Sequence, residues 1–183
     1  MPLRRRLVEA HNAQDCTWPR NRAIGHSFCP MAAWWEERMA EYPIVGIGSS
    51  AGGLEPLQKL FMAMPDKTGM AFIVAAHLDP TQKSLLSELL SRCTGMTVVQ
   101  IATAIAVEPD HVYVIAPDQE LTIQSGVITP HKPTMPRGHR HPVDSFLRSL
   151  PEDQGERAVA IILSGTGSNG SMGLRFIKAE GGW

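Results

Sequence analysis

Two short polar segments, each following an apolar run, hold the residue types that could carry out catalysis. The first, residues 46–53, reads GIGSSAGG. A GxGxxA pattern beginning at Gly46 fits the dinucleotide-binding fingerprint, whereas a GxSxG pattern beginning at Gly48 fits a nucleophile elbow. The first pattern predicts a phosphate-binding loop, and the second predicts that Ser50 is a nucleophile.

His77, at the end of the next apolar run, favours the nucleophile over the phosphate-binding loop. A dinucleotide site would have an acidic side chain there, about 20 residues beyond the glycines, to bind the ribose. The sequence has His77 at that place, with Asp79 two residues later. Neighbouring parallel strands lie about 4.8 Å apart, so His77 can serve as the general base for Ser50. A helix-capping serine and a packed histidine are the structural alternatives.

The elements that must position these residues alternate between strands and helices from Pro43 onward. The runs predicted as buried strands are PIVGI at 43–47, AFIVAA at 71–76, TVVQI at 97–101 and AVAIILSG at 158–165. Helices are predicted at 53–64, near 81–93 and behind Pro142. This alternation indicates an α/β fold: a doubly wound, mainly parallel sheet with helices on both faces. Residues 111–130, which contain Asp and Gly turns, are predicted to form a small antiparallel ribbon.

Each predicted helix has one apolar face that a sheet can bury. These faces consist of Leu54, Leu57, Phe61 and Met64 in the first helix, Leu85, Leu86, Leu89, Leu90 and Cys93 in the second, and Val143, Phe146, Leu147 and Leu150 in the third. Gly48 and Gly52 are predicted to permit a tight turn between strand and helix, with Ser49 supporting that turn. Asp144 is predicted to be an acidic residue in the first turn of the third helix.

Length, charge and cysteine content limit the classes of function. A chain of 183 residues is long enough for one ordinary domain. Its formal net charge of -1 offers no attraction for nucleic acid or an anionic membrane. The three cysteines have no metal-ligand spacing, and no run approaches the roughly 20 apolar residues of a membrane span. We therefore predict a cytoplasmic protein with no metal, no cofactor, no nucleic-acid partner and no direct membrane binding.

The chain divides near residue 42. Residues 1–42 begin rich in arginine and then contain Trp18, Trp34 and Trp35 without a sustained helical or strand period. We expect them to form a leader that is poorly structured or packed on the domain surface. The α/β domain is expected to cover residues 43–183.

Across this domain, the sequence resembles the chemotaxis protein-glutamate methylesterases of the CheB type. The resembling segments, in the order in which that family has them, are VGIGSSAGG, FIVAAHLDP, VYVIAPDQELTI, RGHRHPVDSFLRSL and AIILSGTGSNGSMGLRFIKAEGG. The resemblance runs from about Pro43 to Gly182. It implies hydrolysis of glutamate γ-methyl esters, with deamidation of glutamines as a second reaction, on methylated cytoplasmic helices of chemoreceptors.

The resemblance also implies roles for individual residues. Ser50 would be the nucleophile, His77 the general base, and the backbone N–H groups of Ala51 and Thr166 the oxyanion hole. Asn169 stands where the family has the aspartate that orients the histidine. A carboxamide can accept a hydrogen bond from the imidazole, but it has no charge and can present its NH2 group instead. We expect impaired esterase activity; the alternative is a receptor-binding module without catalysis.

Three further expectations follow from the same resemblance. Arg140, in the segment RGHRHP, is expected to contact acidic receptor helices near the active-site cleft. A receptor methyltransferase domain is a suggested partner. Because the family domain continues beyond the segment AEGG, the domain is expected to lack its last strand and helix segments and to leave a sheet edge uncovered.

Overall fold

Parallel strands form the central sheet of the molecule. The computed structural model describes residues 42–49, 52–76, 85–136, 140–163 and 170–183. The parallel strands are β1 (Ile44–Ser49), β2 (Ala71–Ala76), β3 (Thr97–Ile101), β5 (His111–Ile115) and β8 (Ala158–Ile162). Their order across the sheet is β3-β5-β2-β1-β8. Because parallel neighbours need a crossover connection, helices must lie on the faces of this sheet.

Helices cover both faces of the parallel sheet. They are α1 (Leu54–Ala63), α2 (Leu86–Ser91), α3 (Pro142–Gln154), which a 3-10 helix (Gly155–Arg157) follows, and α4 (Ser171–Ala179). Alternate strand residues enter two separate cores. Val45 and Ile47 of β1 pack with α1 and α2, whereas Ile44 packs with α3 and α4. The predicted doubly wound α/β fold is therefore confirmed.

A small antiparallel sheet packs on the face that α3 covers. It contains β4 (Ile105–Ala106), β6 (Glu120–Gln124) and β7 (Val127–His131) in the order β4-β7-β6. β6 and β7 form the predicted hairpin, and Leu121 and Ile123 of β6 are buried in the same core as α3. The two-residue strand β4 was not predicted.

The prediction of one ribbon over residues 111–130 was wrong at its beginning. β5 is a strand of the parallel sheet, with β3 on one side and β2 on the other. Four of its five residues are buried. A strand with neighbours on both sides and cores on both faces has to be apolar where it is buried, and residues 112–115, VYVI, meet that requirement.

The apolar faces of the helices are largely buried, with Met64 and Leu89 only partly so and two residues exposed. All four predicted face residues of α3 are buried, as are Leu57 and Phe61 in α1 and Leu86, Leu90 and Cys93 in and after α2. Leu54 is 37% exposed and Leu85 is 58% exposed, so the prediction that they are buried was wrong. Both stand where a helix begins. A helix that follows a strand begins beyond the end of the sheet, where the sheet no longer covers its side chains.

β8 lies at one side of the described sheet and is less buried than predicted. Only Ala158 of its five residues is fully buried, because the strand pairs with β1 on one side only. On its other side, the backbone N–H of Trp183 donates to the carbonyl of Ala158 (3.0 Å) and the N–H of Ala160 donates to the carbonyl of Trp183 (2.7 Å). The outer backbone of β8 is therefore partly hydrogen-bonded.

Candidate active site

The strands that precede the candidate catalytic segments end side by side. β1 ends at Ser49 and β2 at Ala76, and these two residues are register partners. On the other side of β1, Ile162 of β8 pairs with Gly48. The end of β1 therefore has the ends of β2 and β8 on its two sides. We call this part of the molecule the carboxyl end of the sheet and the opposite part the amino end.

The residues predicted to carry out catalysis follow these strand ends in the sequence. Ser50 and Ala51 come directly after β1, His77 comes directly after β2, and Thr166 and Asn169 come shortly after β8. All of them lie outside the described residues, so their roles remain predictions. What the structure describes is the set of strands and helices on either side of them.

Gly46 and Gly48 are strand residues that allow α3 to lie close to β1. A Cβ atom at Gly46 would lie 2.7 Å from Leu147 Cδ2, and one at Gly48 would lie 2.6 Å from Val143 Cγ1. Both distances are shorter than van der Waals contact. In a dinucleotide site, the glycines form the turn and the approach to the pyrophosphate. Here, packing between strand and helix accounts for both glycines of the GxG pattern.

The prediction that Gly48 lies in the turn was wrong, whereas Gly52 does lie in a turn before α1. Gly48 is hydrogen-bonded within β1 between two parallel neighbours. Gly52 does not take a positive φ, and a Cβ atom there would meet nothing within 4 Å. Neither glycine therefore supplies a backbone conformation that other residues could not adopt. In the GxSxG pattern, the first glycine, Gly48, therefore serves the packing of α3 on β1.

Ser49, the neighbour of the predicted nucleophile, is buried. It is the last residue of β1, and 4% of its surface is exposed. A nucleophile has to reach the substrate, so burial makes Ser49 a poor candidate for that role. This observation supports Ser50 as the serine to test.

Arg140 lies at the carboxyl end of the sheet, where its guanidinium is held by the protein itself. Arg140 Nη1 forms an ion pair with Asp118, which follows β5, and Arg140 Nε donates to the carbonyl oxygen of Met135 (2.8 Å). The side chain of Arg140 is 22% exposed. Arg140 therefore ties the segment before α3 to the loop after β5.

Asp144 lies in the first turn of α3, as predicted. Its Oδ1 accepts a hydrogen bond from the backbone N–H of Gly173 (2.7 Å), so it connects α3 to the beginning of α4. This contact was missed by sequence analysis. The two residues are 29 positions apart, and no local pattern pairs an acid in one helix with a backbone amide in another.

Perturbed acids are found at the amino end of the sheet. Hydrogen bonds from the backbone N–H groups of Gly69 and Thr68 lower the pKa of Asp110. Burial raises the pKa of Tyr113 to about 12. Within the described ranges, His, Cys, Asp and Glu form no group of three that could hold a metal ion, and none of the described helices is long and apolar enough to cross a membrane.

The chain shares sequence and structure with a family of esterases. The model of the CheB methylesterase family matches residues 45–183. The catalytic domain of the Thermotoga maritima CheB methylesterase, known from a crystal structure, is similar with a TM-score of 0.69 and 27% sequence identity. That similarity covers 78% of this chain and 77% of the Thermotoga chain.

Curated relatives carry the name protein-glutamate methylesterase/protein-glutamine glutaminase. The protein from Photorhabdus laumondii is 28% identical over 145 residues, which is 76% of this chain and 41% of that protein. The protein numbered 6 from Anaeromyxobacter dehalogenans is 30% identical over an alignment of 189 positions that covers 99% of this chain and 53% of that protein. The chain thus spans about half of the length of these relatives, or less. On these matches, the chain belongs to the CheB methylesterase family.

Proposed function

We propose that this chain hydrolyses glutamate γ-methyl esters on methylated chemoreceptor helices, with Ser50 as the nucleophile and His77 as the general base. Deamidation of glutamine at the same positions is the second proposed reaction. The observation that carries the proposal is the pairing of Ser49 with Ala76. Because these partners end two hydrogen-bonded parallel strands, the next residues, Ser50 and His77, leave the sheet from adjacent positions.

The proposed reaction begins at the strand ends. His77 removes the proton from Ser50 Oγ, which attacks the ester carbonyl carbon, and the backbone N–H groups of Ala51 and Thr166 stabilise the oxyanion. His77 then protonates the departing methanol. Water, activated by His77, hydrolyses the acyl-enzyme and releases the glutamate side chain and free Ser50.

Asn169 is proposed to hold the imidazole of His77 without supplying a charge. β2 and β8 lie on opposite sides of β1, so their ends are about 10 Å apart. The strands that precede residues 77 and 169 are therefore separated by β1. In a serine protease, replacing the triad aspartate by asparagine lowers kcat by about 10⁴. We propose that this chain has a correspondingly low esterase activity.

A receptor-binding module without catalysis is the second candidate function, and Asn169 is the observation that favours it. Such a module would bind methylated or amidated receptor helices and leave them unchanged. In either case, a receptor methyltransferase domain is a proposed partner, since it would act on the same receptor positions.

Labelling with a serine-directed fluorophosphonate tests the proposal and separates the two candidates. We expect slow labelling that disappears in Ser50→Ala, and labelling that becomes faster by up to about 10⁴ in Asn169→Asp because the carboxylate restores the charge beside the imidazole. Methanol release from methylated receptor fragments should rise in parallel. If folded Asn169→Asp protein shows no labelling at Ser50, the esterase proposal is wrong; receptor binding without methanol release would then support the second candidate.

Contact between Arg140 and acidic receptor helices is a further proposal. The ion pair with Asp118 holds the Arg140 side chain at the carboxyl end of the sheet, beside the strand ends that precede the catalytic segments. A receptor carboxylate would have to share the guanidinium with Asp118. Arg140→Ala should weaken binding to receptor fragments, and unchanged binding would remove this contact from the proposal.

A further inference from the structure

Helix α3 packs against two elements that flank the proposed catalytic segments in the sequence, β1 and α4. It runs antiparallel to β1, because Val143 near its beginning approaches Gly48 and Leu150 near its end approaches Gly46. β1 is the strand that precedes Ser50. The same helix also packs against α4, which begins two residues after Asn169. α3 is therefore a described element that, like β8, connects the strand before Ser50 to the helix after Asn169.

The first turn of α4 receives its hydrogen-bond acceptor from α3. The first four N–H groups of a helix have no acceptor within that helix. The residue that precedes α4, Gly170, has no side chain that could supply one. Asp144 does so from the neighbouring helix, where its Oδ1 accepts from the N–H of Gly173, the third residue of α4 (2.7 Å). A carboxylate at this place also suits the positive end of the helix dipole.

Close packing limits where the first turn of α4 can lie. A Cβ atom at Gly173 would be 2.5 Å from Leu147 Cβ, an atom that cannot move without the backbone of α3. Gly170 has a φ of 100°, and a Cβ atom there would be 2.7 Å from Ile162 Cδ1 in β8. The beginning of α4 thus lies close to α3 on one side and to β8 on the other.

We propose that Asp144 is a positioning residue for residue 169, an inference that rests on the proposed function. By binding the N–H of Gly173, Asp144 fixes the first turn of α4 against α3. That turn sets where the segment before α4 ends, and so where the side chain of residue 169 meets His77. Asp144 does not touch substrate in this proposal; it acts through α4.

The test compares Asp144→Ala with a matched variant at the other end of α3. Asp153 also accepts backbone N–H groups from another segment, those of Ser125 and Gly126 (3.1 Å for Gly126) in the hairpin turn. Removing either carboxylate should lower Tm. In the Asn169→Asp background, Asp144→Ala should slow fluorophosphonate labelling of Ser50 on the order of tenfold or more, since small misplacements of catalytic groups cost this much. Asp153→Ala should leave the labelling rate within about twofold.

Two further variants separate positioning from a general loss of structure. Asp144→Asn keeps a carbonyl oxygen that can accept from the N–H of Gly173, so it should restore most of the labelling rate. In an Asn169→Ala background, Asp144→Ala should have a much smaller effect, because the group that it positions is absent. Equal losses for Asp144→Ala and Asp153→Ala, or an undiminished loss in the Asn169→Ala background, would overturn the inference.

Amide hydrogen exchange distinguishes failure of this inference from failure of the proposed function. If no variant labels at Ser50, the esterase proposal falls, but exchange at the amides of α4 still tests the role of Asp144. Faster exchange at Gly173 in Asp144→Ala, together with unchanged exchange there in Asp153→Ala, would support the positioning role. Unchanged exchange at Gly173 in both variants would contradict it.

Discussion

The two ends of the parallel sheet use their polar side chains differently. At the amino end, carboxylates bind the backbone of neighbouring loops. Asp110 accepts from the N–H groups of Thr68 (2.7 Å) and Gly69 (2.8 Å), and Asp66 accepts from the N–H of Gly95 (2.7 Å). These bonds join connections that are distant in sequence. The amino end is therefore held together by carboxylates that bind the backbone of these connections.

At the carboxyl end, the described polar contacts lie beside the proposed catalytic segments. Arg140 and Asp118 hold the loops around β5, and Asp144 holds the beginning of α4. Ser50 and His77, which follow strands that end here, are proposed to carry out the chemistry. The comparison teaches that the described polar side chains bind loops together at both ends of the sheet, whereas chemistry is proposed for the carboxyl end alone. It predicts that changes at the amino end lower stability and leave labelling at Ser50 unchanged.

The largest expected effect on stability is at Gly48, near the carboxyl end of β1. Gly48→Val would force its methyl groups against Val143 and Ile162, because even a Cβ atom there lies 2.6 Å from Val143 Cγ1. Overpacking of this kind should lower the free energy of unfolding by about 3 kcal/mol, measured by urea denaturation. Gly52→Ala is the control and should change it by less than about 0.5 kcal/mol. An equally large loss of stability in Gly52→Ala would mean that Gly52 is needed for its backbone conformation.

A smaller loss is expected from Tyr113→Phe towards the amino end. The Tyr113 hydroxyl accepts from the N–H of Glu108 (2.9 Å) and donates to the carbonyl of Ala106 (3.3 Å). Without it, both backbone groups lose a partner, which should cost about 1–2 kcal/mol in urea denaturation. The rate of fluorophosphonate labelling should not change. Slower labelling of folded Tyr113→Phe protein would contradict the expectation that changes at the amino end leave the proposed catalytic centre unaffected.

The same hydroxyl gives a prediction for alkaline pH. Burial raises the pKa of Tyr113 from 10.0 to about 12, so the unfolded chain loses this proton at lower pH than the folded protein. Stability should therefore fall as the pH rises from 10 towards 12. Tyr113→Phe should lose less stability over this range, measured by urea denaturation at each pH. An identical dependence in both proteins would contradict the raised pKa.

The smallest expected effect is the contribution of Asp110 to the loss of stability at acidic pH. Hydrogen bonds from Gly69 and Thr68 lower its pKa below 3.8, so its contribution is present above that value and is lost as the pH falls. Between about pH 4 and pH 2, the Tm of Asp110→Asn should fall less steeply than that of the wild type. Glu55→Gln, which removes an exposed ion pair with Lys59, is the control and should follow the wild type.

Much of the fold could be predicted because its signals are local. Apolar runs identified β1 and β2, and helical periodicity identified the buried face of α3. The position of β5 could not be predicted in the same way, since an apolar strand fits a ribbon or a sheet centre equally well. Its place depends on which distant strands pair with it.

The same distinction between local and distant signals applies to the candidate site. Ser50 and His77 were selected because each follows a predicted strand, and the register of those strands supports that choice. The roles of Gly48 and Asp144 were beyond sequence analysis. What decides them is the approach of α3, a helix that begins more than 90 residues after β1 ends. A glycine pattern has the same appearance whether it serves a turn, a phosphate or a packed helix.

The close approach of α3 to β1 also bears on how this sequence can change over time. Gly48 and Val143 occupy space that cannot hold a larger side chain at one position unless the other becomes smaller. Substitutions at these two positions should therefore be coupled: alanine at position 48 should be better tolerated where position 143 is alanine than where it is valine, provided that the flexible end of Ile162 also moves aside. Gly48, the second glycine of the GxG pattern, is then expected to covary with Val143, which lies 95 residues further along the chain.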